Sequence, residues 1–146
     1  MQPYEELEQA WAAFNGLDPA GMVCCSSGTA ALHLALEALQ LPQGSEVVLP
    51  DYTMIACARA VTMSRLVPVF VDCDENGLMD FGLLPPCIKT LMVVHVYGRK
   101  WPVDWLSPNE RTIVIEDLAE AHGVSPDSRT DAACWSFYSN KIVAGE

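Results

Sequence analysis

EVVLPDYTMIACARAVTMSRLVPVFVD, residues 46–72, holds the reading that decides the fold. Glu46–Leu49 is an apolar, β-branched run stopped by Pro50, and Val67–Val71 is a second such run that ends at Asp72. Between them, Thr53–Ser64 is compatible with a helix. A strand, a helix and a strand in so short a span make a parallel crossover unit.

The same alternation extends in both directions. Upstream, Leu7, Trp11 and Phe14 recur at helical spacing within residues 4–14. The apolar run 22–25 ends at Ser26-Ser27-Gly28-Thr29 and opens a helical stretch Ala30–Leu39, with Pro42 and Gly44 beyond it as stop signals. Downstream, Leu91–Val96 is a third strand, broken at Tyr97-Gly98, and Thr112–Ile115 a fourth, ending at Glu116-Asp117. Ala132–Tyr138 is a fifth, ending beside Ser139-Asn140-Lys141. Short, nearly continuous apolar strands separated by helices predict an α/β fold: a three-layer, mostly parallel sheet with helices on both faces. No repeat or linker divides the chain, so residues 1–146 form one unit.

Composition narrows the function classes. Hydrophobic residues make up 51% and charged residues 18%, a balance that forms a core rather than a disordered chain. Eight Lys+Arg against nineteen Asp+Glu give a net charge of −11, which repels phosphate backbones and anionic lipid and argues against nucleic-acid and membrane partners. No apolar run approaches the roughly 20 residues that span a bilayer. Met1 leads into Tyr4-Glu5-Glu6 rather than a basic and then apolar leader, so a cytoplasmic protein is expected. The six cysteines (24, 25, 57, 73, 87 and 134) include no C-x-x-C pair and read as reduced core thiols. His33, His95 and His122 are too scattered to complete a zinc pattern with them, and no metal is expected.

In parallel sheets ligands bind beyond the carboxyl ends of the strands. The polar residues of this chain gather there: Ser27/Gly28/Thr29, Tyr52/Thr53, His95/Tyr97/Gly98, Glu116/Asp117/Glu120 and Ser136/Lys141. Ser27-Gly28-Thr29 at a helix start can cradle a phosphate on backbone N–H groups, or one hydroxyl can simply cap the helix. P-loop and dinucleotide glycine fingerprints are absent. Lys141 is one of three lysines, with Lys89 and Lys100, and sits between an apolar strand and Ile142-Val143-Ala144. A partly desolvated lysine can form a Schiff base with an aldehyde, or can cap a strand end. Asp117, at the edge of a buried strand, must bond a helix start or face a cationic ligand atom.

Read together, these segments resemble the DegT/DnrJ/EryC1/StrS family, the sugar-aminotransferase branch of the fold-type-I enzymes that use pyridoxal 5′-phosphate (PLP). The matching stretches are Ser27-Gly28-Thr29-Ala30-Ala31-Leu32, Pro50-Asp51-Tyr52-Thr53, Pro68-Val69-Phe70-Val71-Asp72 and His95-Val96-Tyr97-Gly98. They continue with Glu116 through Gly123, Ser136 through Lys141, and Gly145-Glu146. Their order along nearly the whole chain makes the resemblance specific.

The resemblance implies roles for individual residues. Lys141 matches the lysine that holds PLP covalently and later serves as acid and base. Asp117 matches the aspartate that pairs with the pyridine nitrogen. Glu120 matches a position, often Gln, that bonds near the ring's phenolic oxygen. Gly28, Thr29 and Ser136 match the phosphate cup. Met54 stands where the family has an aromatic residue stacked on the ring; a thioether can also lie against a ring.

The family's reaction moves an amino group, commonly from glutamate, to a keto-sugar nucleotide. Members are much longer chains, so residues 1–146 correspond to the N-terminal part of a PLP-transferase large domain, without the small C-terminal domain. In the family an antiparallel strand follows, lying between the first strand and the strand near Ser136. A homo-oligomer or a complementing C-terminal half chain is therefore expected to complete the fold. Two alternatives accompany this reading: a catalytically inactive interaction module, and a PLP enzyme of another reaction type.

Overall fold

The computed structural model describes residues 2–103, 106 and 111–145. Three helices, α1 (Pro3–Asn15), α2 (Gly28–Ala38) and α3 (Ile55–Met63), accompany five strands: β1 (Glu46–Pro50), β2 (Val67–Val71), β3 (Thr90–Val94), β4 (Ile113–Asp117) and β5 (Ala132–Cys134). All five strands lie parallel in one sheet, in the order β2-β1-β3-β4-β5. The crossover unit read from residues 46–72 is present, with Glu46 opposite Val67 and Pro50 opposite Val71.

Alternation along the strands feeds two cores, as the period-2 geometry of a sheet covered on both faces requires. Val47, Leu49, Met92 and Ile115 pack on one face with Leu32 and Leu36 of α2 and Cys57, Ala60 and Val61 of α3. Val48, Leu91, Val93 and Val114 point the other way, against Met79, Trp101, Val103 and Leu106. Those four belong to the connections after β2 and β3, which include 3-10 turns at Phe81–Leu83 and Val96–Gly98. Each fully buried aliphatic side chain contributes about 1.5–3 kcal/mol of transfer free energy.

The helix ends follow from local chemistry. Pro3 opens α1, the Gln2 N–H donates to Glu5 Oε2 at 2.8 Å, and Gly16, at φ 68, closes the helix. Ser27 caps α2, its Oγ accepting the Ala30 N–H at 3.1 Å. No helix among the described residues is long and apolar enough to cross a membrane.

Three expectations need correction. The fifth strand covers Ala132–Cys134 and not Ala132–Tyr138, because its neighbour β4 ends opposite Cys134 at Asp117, and the ladder ends with it. The third strand leaves the sheet at Val94, one residue before His95, whose side chain turns into the interior. Cys57 and Cys134 are core thiols, but Cys24, Cys25 and Cys87 are exposed. The run Met22–Cys25 pairs with no strand among the described residues. The Cys24 N–H donates instead to Glu8 Oε1 at 2.7 Å, and Val23, Cys24 and Cys25 lie exposed. Glu146, part of the last matching stretch, lies outside the described residues.

Candidate active site

Parallel pairing in register sets the carboxyl ends of β3 and β4 side by side, with Val94 opposite Asp117. Asp117 is the last residue of β4 and 6% exposed. Its Oδ1 accepts the Ala119 N–H at 2.9 Å, turning the chain out of the strand, and its Oδ2 accepts the Cys57 S–H at 3.1 Å. Burial pushes its carboxyl above the ordinary range, against the pull of the Ala119 N–H, the Cys57 thiol, the Lys141 charge and His95. A buried carboxylate so placed favours a cationic partner.

Lys141 lies in the turn after β5, closed by its own N–H donating to the Tyr138 carbonyl at 2.8 Å. Its side chain is 14% exposed, and Nζ lies 3.5 Å from Glu120 Oε1. Glu120 Oε2 accepts the Tyr97 N–H at 3.2 Å. That contact holds Tyr97 at φ 53, in the left-handed region that costs a bulky residue about 1–2 kcal/mol. The Tyr97 hydroxyl then meets that of Tyr52 at 3.0 Å. One chain of contacts thus runs from Lys141 through Glu120 to two tyrosines that are half or more exposed.

Gly28 and Ser136 meet at the start of α2. A Cβ on Gly28 would sit 3.0 Å from Ser136 Cβ and 3.3 Å from its Oγ, so the two segments approach as only a glycine permits. The first N–H groups of a helix, here Gly28 and Thr29, have no intrahelical carbonyl to bond. Ser136, which Gly28 approaches, is itself buried. Met54 is the residue before α3 and 62% exposed, with its carbonyl accepting the Cys57 N–H at 3.1 Å.

Under these groups lies a buried support. His95 Nδ1 accepts the Trp101 N–H at 3.0 Å, which leaves Nε2–H to donate to Glu116 Oε2 at 2.6 Å. Glu116 Oε1 accepts the Asp127 N–H at 2.7 Å and the Thr130 hydroxyl. Burial would push the Glu116 carboxyl up, but the His95, Thr130 and Asp127 donors together hold it below its ordinary value.

The residues singled out from the sequence therefore fall into linked groups: Asp117 with Lys141 nearby, Lys141 with Glu120, and Gly28 with Ser136. Cys57, read as a plain core thiol, was missed as a partner of Asp117. The four-residue spacing of Thr53 and Cys57 brings those two side chains together but does not point to Asp117, sixty residues further on. No cluster of three or more metal-ligating side chains occurs among the described residues.

The chemistry of these residues is compatible with PLP. The Gly28–Ser136 cradle suits a phosphate, the buried Asp117 suits a protonated ring nitrogen, and a half-sheltered lysine shares the sheet edge. Comparison with known proteins gives the class. The DegT/DnrJ/EryC1/StrS aminotransferase family matches residues 2–146, and the chain belongs to that family. The chain is 38% identical over 151 aligned positions to GDP-perosamine synthase of Caulobacter vibrioides, covering 94% of this chain and 40% of the relative. It is 37% identical over 150 positions to UDP-N-acetyl-3-dehydro-alpha-D-glucosamine 3-aminotransferase of Acidithiobacillus ferrooxidans, covering 92% and 40%. Among solved structures, Spr1654 of Streptococcus pneumoniae in its PLP form superposes with a TM-score of 0.85 at 26% identity, covering 99% of this chain and 44% of that one. The family's cofactor is PLP. The chain spans about two fifths of the length of the curated relatives it matches.

Proposed function

We propose that these residues are the cofactor-holding, N-terminal part of a PLP-dependent sugar aminotransferase. The observation that carries the reading is the buried Asp117 carboxylate at the end of β4, with the Lys141–Glu120 pair at the same sheet edge. Bound there, PLP supplies a carbon that captures amines and a ring that takes up the electrons of a broken C–H bond. Gly28 and Thr29, at the helix start, bind the phosphate together with Ser136. Asp117 keeps the proton on the nitrogen that faces it. Met54 would lie beside the ring, and Glu120 would orient the groups near its phenolic oxygen. Lys141 would provide the amine that anchors the cofactor, and its Nζ would take a proton from the substrate and return it.

The name of the UDP-N-acetyl-3-dehydro-alpha-D-glucosamine aminotransferase supports a keto-sugar nucleotide as acceptor; an amino acid such as glutamate as donor rests on the family resemblance. The exposed residues 23–25 and the edge position of β5 support completion of the sheet by further polypeptide, from a C-terminal half chain or within a homo-oligomer. A cytoplasmic location belongs to the same proposal. Mixing the chain with the remaining C-terminal part of a curated relative tests the reading. Cofactor-dependent amino transfer that disappears in Lys141→Ala is expected; a folded mixture without it contradicts the proposal. Assembly that ignores Lys141→Ala while transfer is absent favours an interaction module instead.

A further inference from the structure

Asp117 is held at both oxygens, and only one of its two partners is backbone. The other is Cys57 on α3, sixty residues earlier in the chain and wholly buried. Cys57 Sγ also lies 3.2 Å from Thr53 Oγ1, one helical turn back. An ionised carboxylate can only accept, so the thiol proton points to Asp117 Oδ2. The sulfur is then left to accept from the Thr53 hydroxyl. Burial, followed by the Asp117 charge, pushes the Cys57 thiol far up, so it keeps its proton wherever the protein is folded.

We propose that Thr53 and Cys57 form a hydroxyl–thiol relay in which Cys57 is the positioning residue of Asp117, fixing the carboxylate's rotamer and favouring its charged form. Chained hydrogen bonds polarise one another, so the Thr53 bond strengthens the thiol as a donor. The bonds to Ala119 N–H and Cys57 S–H each leave lone pairs on the carboxylate for a cationic N–H. The role toward a ring nitrogen rests on the proposed PLP reading; the relay itself does not.

Four titratable groups face Asp117 from the elements around it: Cys57 from α3, His95 from the end of β3, Lys141 from the turn after β5, and Cys134 from β5. A test must isolate Cys57 from the other three. The carboxyl carbon of Asp117, followed by NMR in the full chain labelled with 13C-aspartate and without cofactor, reports its titration midpoint. Cys57→Ala removes the donor and is expected to raise that midpoint by about one pH unit. Cys57→Ser restores a hydroxyl donor and is expected to bring the midpoint back to the parent value or below it. Thr53→Val, which keeps the shape and loses the hydroxyl, is expected to give a smaller rise.

A structural role alone would lower the unfolding midpoint of Cys57→Ala without moving the carboxyl titration. Equal midpoints for parent, Cys57→Ala and Cys57→Ser in folded protein would overturn the relay. The S–H stretch in the infrared gives a second reading. A band displaced from those of the exposed thiols, absent in Cys57→Ser and shifted in Asp117→Ala, supports the relay, and a band unmoved by Asp117→Ala overturns it. Neither measurement uses PLP, so the relay can stand if Lys141 fails to bind cofactor, and can fall while the cofactor reading stands.

Discussion

Lys141 and Glu120 meet at 3.5 Å, Nζ to Oε1, while the other oxygen of Glu120 holds the N–H of Tyr97. One carboxylate thus sets both the lysine and the strained tyrosine at the mouth of the sheet. Glu120→Gln keeps an acceptor for Tyr97 and removes the charge facing Lys141. The pair is partly solvated, so its loss is expected to change stability by less than about 1 kcal/mol. Glu120→Ala also strips the Tyr97 contact and is expected to cost more. Urea unfolding of the two variants gives the comparison.

A side chain at Gly28 would press on Ser136. Alanine there places Cβ 3.0 Å from Ser136 Cβ, and the expected cost is about 1–3 kcal/mol. Ser136→Gly removes the obstructing atoms. The double variant is then expected to recover most of the loss, a coupling that a denaturation cycle measures directly.

The His95–Glu116 pair is fully buried at both side chains. Removing His95 strips Glu116 Oε2 of its donor and leaves a cavity, while Oε1 keeps the Asp127 and Thr130 donors, so His95→Ala is expected to destabilise the fold by about 2–4 kcal/mol. The pH dependence has a definite sign. Glu116 has a depressed folded pKa, so its stabilisation is present above its ordinary value near 4.5 and is lost as pH falls through the folded value. Glu116→Gln is expected to flatten the acid side of the stability curve.

Asp117, one residue on, works in the opposite direction. Its folded pKa is raised, so the fold favours the protonated form, and stability falls as pH rises from its ordinary value near 3.8 through the folded one. Without cofactor, Asp117→Asn is expected to raise the urea midpoint at pH 7, because a neutral amide carries none of the ionisation cost that folding imposes on the carboxyl. The same change is expected to weaken cofactor retention. An unchanged or lower midpoint would contradict the stated electrostatics.

The strands were legible because β-branched runs such as Val67–Val71 and Ile113–Ile115 admit little else. Strand-end chemistry was legible for a related reason: parallel pairing puts Asp117 and the residues after Val94 at one edge wherever the strands are recognised. Cys57 was not legible as a partner of Asp117, since their meeting depends on how α3 crosses the face of β4, and no local pattern encodes it. The cysteines divide by the same logic. Cys57 and Cys134 lie between sheet and helices, and burial, with the Asp117 charge behind it, pushes Cys134 up to about 12. Cys24 and Cys25 occupy an equally apolar run that has no strand beside it among the described residues. Thiol labelling of folded protein is therefore expected to be fast at Cys24, Cys25 and Cys87, and to reach Cys57 and Cys134 only on unfolding.

The central claim is that Lys141 faces a PLP site whose ring nitrogen meets Asp117. Borohydride reduction of the chain with PLP, followed by peptide mass mapping, tests it most directly, with Lys89 and Lys100 as internal controls. Selective labelling at Lys141 that disappears in Asp117→Ala is the predicted result. Equal labelling of all three lysines, or none at Lys141, would contradict it.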